Sequence, residues 1–151
     1  SYDPDLTRLA QTFSIPQYAS IRACQDLLDG ADLLVSVHGK ELVPPDLLQR
    51  PTHGGINVHP CLFAYPGAHP IERWLADGQT RASVGVHRMT DQVDCGEVLT
   101  QVFVDIVGAS DVGAVYQQLY AVYVMVLIQG IRLHQDREIP TVDEVKKLCA
   151  T

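Results

Sequence analysis

Asn57 and His59 stand two residues apart in the run Gly55-Ile56-Asn57-Val58-His59-Pro60, and Asp94 returns later in Val93-Asp94-Cys95-Gly96. In a β-strand, side chains two apart share a face, so the amide and the imidazole project on one side. Pro60 has no N–H to give a ladder and is expected to end the strand directly after them. An amide N–H beside a histidine can hold a developing oxyanion, and a carboxylate on a Gly-flanked loop can keep the histidine protonated or correctly turned. That is the chemistry of acyl transfer. Taken singly, each residue has a plainer role: polar strand ends cap loops, and an aspartate beside a glycine is an ordinary turn residue. His87 closes a later alternating segment, either as a supporting member of the site or as a satisfied polar residue at a strand end.

The elements that must position these residues alternate. Leu6, Leu9, Ala10 and Phe13 fall at helical spacing, and Ser20 can cap a second helix to about Asp29. Ala31 to Val37 is a nearly continuous apolar run of strand length, which suits burial on both faces of a parallel sheet. Pro44-Pro45 opens a short helix to about Gln49. Gly54-Gly55 open the strand to His59, and a helix from about His69 to Asp77 places Ile71, Trp74 and Leu75 on one face. Ala82, Val84 and Val86 alternate with Ser83, Gly85 and His87, and Glu97 to Val107 reads as a further strand. Ser110 or Asp111 caps a long helix to about His134, and Thr141 to Leu148 has the form of a capping box. The pattern predicts one α/β domain over residues 1–151, a mostly parallel open sheet with helices on both faces.

Composition narrows the function classes. A net charge of −7 with only 11 scattered Lys and Arg excludes a broad phosphate-binding surface, so no nucleic-acid partner is expected. The four cysteines lie far apart with no CxxC pair, which indicates neither a zinc ribbon nor a disulfide scaffold and suits a reducing compartment. No two of the six histidines share the spacing of a helical metal motif, and no metal site is expected. His38, His53, His69 and His134 are expected to be solvated. The N-terminus lacks the basic start and apolar core of a signal peptide. The most apolar run, Leu119 to Ile128, is about half of what a bilayer crossing needs. A soluble cytoplasmic protein with no membrane partner is the expectation.

Several ordered motifs carry a family resemblance: Gly55 to Pro60, then Tyr65 and Gly67-Ala68-His69-Pro70-Ile71, then Gly85-Val86-His87, then Val93 to Val98. With Asp32 to Val35 and the Pro44-Pro45-Asp46-Leu47-Leu48 turn, the stretch from about Ala31 to Leu99 resembles the folate-dependent formyltransferases. That group includes the glycinamide ribonucleotide, methionyl-tRNA and sugar N-formyltransferases.

The resemblance implies transfer of a formyl group from 10-formyltetrahydrofolate to a primary amine of a small metabolite or amino-sugar nucleotide. Asn57, His59 and Asp94 match the family's catalytic residues, and His87 matches a histidine that often recurs before the aspartate loop. It implies that the pterin lies against the loops of Gly39, Lys40, Glu41 and Leu42 and of Asp91, Val93 and Glu97. Two other readings accompany the transferase: hydrolysis of formyltetrahydrofolate, with water replacing the amine, and a non-catalytic folate-binding or assembly module. Pro66 stands where the family usually carries a basic residue, which bears on acceptor recognition. About two strand–helix units that open the family's domain do not precede the matching stretch. The expectation is an N-terminally shortened fold, or a natural start upstream of Ser1, with exposed sheet edges that a homodimer would cover.

Overall fold

The computed structural model of the protein describes residues 4–136. Its elements are α1 (Pro4–Thr12), a 3-10 helix (Arg22–Gly30), β1 (Leu34–Val37), α2 (Pro45–Leu48), β2 (Gly55–Pro60), α3 (Pro70–Ala76), β3 (Arg81–Arg88), β4 (Val98–Asp105) and α4 (Val112–Asp136). The helix expected at Thr141 to Leu148 lies outside the described residues. The strands form one open sheet in the order β1-β2-β3-β4.

The open α/β sheet matches the expectation, and its pairing is mixed. β1 and β2 run parallel, while β2–β3 and β3–β4 are antiparallel. The parallel direction read from strand–helix alternation therefore holds for one of these pairs. The reason is length: α3 has seven residues, or about 10 Å of rise, too little to carry the chain back along the sheet. β3 accordingly starts beside the end of β2, with Val84 opposite Pro60. No helix separates β3 from β4.

Alternation gives the two sheet faces different work. Ile56 and Val58 of β2, Val84 and Val86 of β3 and Leu99 of β4 pack against Val115, Leu119, Tyr123 and Val126 of α4, with Ile71 and Trp74 of α3 closing the cluster. Burying one such aliphatic side chain contributes about 1.5–3 kcal/mol, which makes this face the main source of stability. The opposite face carries Asn57 and His59, and the register sets His87 across from Asn57 and Gly85 across from His59. Leu48 of α2 lies over Gly55 on that side, so helices do cover both faces.

One expected helix differs in detail. The segment after Ser20 is a 3-10 helix interrupted at Cys24, and only its Leu28 is buried. Without a packed apolar face, tertiary contacts do not hold full α-turns there. The long C-terminal segment is helical as expected, and Asp111 is its cap, accepting from the Ala114 N–H at 2.9 Å. By length and composition alone α4 is long and apolar enough to cross a bilayer. In this fold its buried side lies on the sheet, and Tyr120, Val124, Met125 and Ile128 are exposed.

Candidate active site

The polar end of the second sheet face opens into a cavity of about 900 Å³. Its lining combines Asn57, His59, His87 and Asp94 with the loop after β1 and the loop between β3 and β4. Three of the five non-glycine residues with positive φ among the described residues, His38, His69 and Asp94, line this cavity. Such backbone costs on the order of 1–3 kcal/mol each and persists where the surroundings over-determine it.

Asp94 is the hub. Its side chain is only 7% exposed, and each carboxylate oxygen faces one histidine: Oδ1 lies 3.2 Å from His87 Nε2, Oδ2 3.2 Å from His59 Nε2. The Gly67 N–H donates to Oδ2 at 2.6 Å, and Asn57 Nδ2 donates to Oδ1 at 3.4 Å. A buried carboxylate must satisfy both oxygens, and here the Gly67 N–H, the Asn57 amide and the His59 Nε2–H donate to it, with His87 Nε2 also within reach. Asp94 sits on a left-handed residue with φ of 52°. Its loop approaches β3 so closely that a Cβ at Gly96 would fall inside the Arg88 carbonyl. Only glycine permits that approach.

Hydrogen-bond partners fix much of the proton placement. His87 Nδ1 lies 2.8 Å from the Arg88 carbonyl, which can only accept, so this nitrogen carries a hydrogen. Its Nε2 lies 3.3 Å from Asn57 Nδ2 and 3.2 Å from Asp94 Oδ1: the neutral ring accepts there from the amide, and a doubly protonated ring donates to the carboxylate. His59 Nε2 faces two acceptors, Asp94 Oδ2 and the Gly67 carbonyl at 3.1 Å, so it too carries a hydrogen. His59 Nδ1 is buried with no partner among the described residues. An imidazole braced through Nε2 with Nδ1 unused is ready to exchange a hydrogen bond or a proton with a bound group.

Gly67 touches both His59 and Asp94 through its backbone, and with φ of 84° it adopts a conformation that suits glycine. The Pro-Gly loop was visible in the sequence, but a backbone contact carries no side-chain signature. The side wall was also missed. His69 Nδ1 lies 3.1 Å from Glu72 Oε1, and Glu72, exposed and helped by its own backbone N–H and by His69, stays below the usual carboxylate range. Burial first, then the Glu72 charge, pushes Tyr116 up to about 12.

Most of the folate-loop residues inferred from sequence do line the cavity: Gly39, Lys40, Glu41, Leu42, Asp91 and Val93. Glu97 does not; it is exposed and turned to Arg88, whose Nε donates to it at 2.9 Å. His87 is 2% exposed and lines the same cavity. His134 is buried, not solvated, because it lies on the sheet side of α4, bonded to Arg88 and to the His53 carbonyl. His38 is exposed, as expected, but packs its ring on Tyr123 with centroids 5.0 Å apart, and the partial desolvation there, followed by the nearby His59, lowers its pKa from 6.5.

An open α/β sheet that ends in a half-buried Asn, two buried His and an Asp has the donors and the carboxylate that acyl transfer needs. Residues 17–131 match the formyl transferase family model, and the chain belongs to that family. It is 32% identical over 123 residues to a methionyl-tRNA formyltransferase of Listeria welshimeri, covering 77% of this chain and 39% of the relative. It is 36% identical over 89 residues to the Halalkalibacterium halodurans methionyl-tRNA formyltransferase, covering 58% and 28%. The chain thus spans about two fifths or less of these curated relatives. The fold is similar to a phosphoribosylglycinamide formyltransferase of Bacillus halodurans, with TM-score 0.72, 23% identity and coverage of 89% and 76%. It is also similar to a formyltetrahydrofolate deformylase of Pseudomonas syringae pv. tomato, with TM-score 0.74, 24% identity and coverage of 94% and 52%.

Proposed function

We propose that this chain carries the catalytic site of a folate-dependent formyltransferase that moves a formyl group from 10-formyltetrahydrofolate to a primary amine. The observation that supports it most is the Asp94 carboxylate, buried between His59 and His87 with Asn57 alongside, at the edge of a ligand-sized cavity. Gly39, Lys40, Glu41, Leu42, Asp91 and Val93 would hold the donor, which when bound supplies an activated formyl carbon. Negative charge growing on the formyl oxygen is stabilised by His59 Nδ1 when it carries a proton and by the Asn57 N–H that otherwise meets His87 Nε2. Asp94 would keep His59 oriented through Nε2 and take the proton released as the amine attacks; the formyl C–N bond to the folate nitrogen then breaks, and that nitrogen leaves with the proton.

The acceptor we favour is the amine of a small metabolite or amino-sugar nucleotide. Lys40 is the one Lys or Arg among the residues lining the cavity, and the chain is acidic overall, which suits a small acceptor better than a long polyphosphate. Likeness to a solved deformylase keeps hydrolysis as the second reading. One assay separates them, in which release of tetrahydrofolate is followed with and without candidate amines. Release that needs an amine supports transfer, and release in buffer alone supports hydrolysis. Binding of a folate analogue without release supports a binding module, and neither binding nor release would sink the family chemistry for this chain.

β1 lies at one end of the sheet, with Val35 and Val37 exposed there. That edge supports a homodimer, and a sedimentation run that gives a monomer at high concentration counts against it.

A further inference from the structure

We propose that Arg73 is a positioning residue for this reaction, acting through the loop that places Gly67 against His59 and Asp94. The inference rests on the functional reading above, but its geometry stands apart from it. Arg73 reaches back from α3 to the loop before that helix. Its Nη2 donates to the carbonyls of Tyr65 at 2.9 Å and Pro66 at 2.6 Å, and its Nε donates to the His69 carbonyl at 3.4 Å. Those three carbonyls bracket Gly67 in the chain on both sides.

The loop has a particular need for such a brace. Among the described residues, its backbone pairs at the start, where the Ala64 and Tyr65 N–H groups bond the Cys61 carbonyl, and at the end, where the Arg73 N–H bonds the His69 carbonyl. Between those points Pro66 has no N–H to offer, and Gly67 has no side chain to anchor. The guanidinium supplies the missing connection, and it lies 5.7 Å from the Tyr65 ring centroid. The Tyr65 hydroxyl in turn donates to Asp77 at the far end of α3 at 2.8 Å. A planar fork with several N–H groups can hold three carbonyls in fixed relation, and an ammonium point charge cannot.

The consequence falls on the hub. Gly67 gives its N–H to Asp94 and its carbonyl to His59, so one peptide segment sets the separation and orientation of both groups. A displacement of about 1 Å at a catalytic group costs about 100-fold in rate. Arg73 is exposed and absent from the cavity lining, so its loss leaves donor contacts in place.

Arg73→Ala and Arg73→Gln are compared with the unaltered chain by urea unfolding, steady-state turnover, folate-analogue binding and amide exchange at Gly67. The expected result is a kcat lowered about 10–100-fold, with KM for the donor and analogue affinity within about twofold. Added guanidinium ion restores part of kcat in Arg73→Ala, and Arg73→Lys restores less than half. Exchange at the Gly67 amide speeds up, while the Val58 and Val86 amides keep their protection. Unchanged exchange at Gly67 overturns the brace, whatever the activity. Faster exchange with an unchanged kcat overturns the positioning role. If the unaltered chain shows no turnover, the functional reading fails, and the exchange experiment still decides the brace.

Discussion

The Asp94 corner and the Gly39–Leu42 rim border one cavity, yet they are held in opposite ways. At the corner every functional side chain is fixed by another: Asp94 by two histidines, an amide and a backbone N–H, His87 by the Arg88 carbonyl. The rim is exposed at all four positions, and Leu42 keeps 71% of its surface. Such an arrangement fixes the geometry of bond making while leaving the ligand-contacting edge adaptable. Substitutions at the corner should therefore act on kcat, and those at the rim on KM.

The sharpest way to break that contrast is at the hub. Asp94→Asn or His59→Ala is expected to lower kcat about 10³-fold while analogue affinity stays within a few-fold, and isothermal calorimetry with steady-state kinetics checks both halves. A rate kept in either variant would falsify the role given to that residue. His87→Gln keeps a polar side chain opposite Asn57 and should cost about tenfold in kcat, since Asp94 retains His59 and Gly67. Leu42→Ala removes exposed apolar surface at the rim and should raise KM for the donor a few-fold with kcat intact. A fall in kcat there would erase the division between the two regions.

The smallest effect concerns pH. His38, exposed but partly desolvated against Tyr123, has a folded-state pKa below 6.5, because of that desolvation and then the nearby His59. The unfolded chain therefore binds the proton more readily, and stability present above pH 6.5 is lost as pH falls toward the folded value. Thermal unfolding at a series of pH values between about 7 and 5 should show a falling midpoint, and His38→Phe should flatten part of that slope. An identical slope in the variant removes His38 from the account.

How much of this was legible depended on whether side chains or backbone carried the signal. Asn57, His59 and the apolar alternation of β2 and β3 are written in residue types, and those elements appear where periodicity put them. Asp94 taken alone is an ordinary turn aspartate; its place beside Asn57 and His59 was legible only from the combination and the family motif, and its loop does fold back on the strand end. Gly67 acts through its peptide groups, so no residue type announces it. Mixed pairing was hidden because direction depends on the length of α3 against the sheet, not on any strand's own composition. His134 reads as an ordinary polar residue near a helix end, and its burial follows only from where α4 crosses the sheet.

Gly96 gives the corner an unusual kind of fragility. Its neighbour Cys95 is exposed, while any side chain at 96 would invade the Arg88 carbonyl. In a library saturating this loop, position 95 should accept nearly every residue and position 96 almost none. Activity would then vanish through a site that never meets a substrate, and a search ranking residues by distance from the cavity would overlook it.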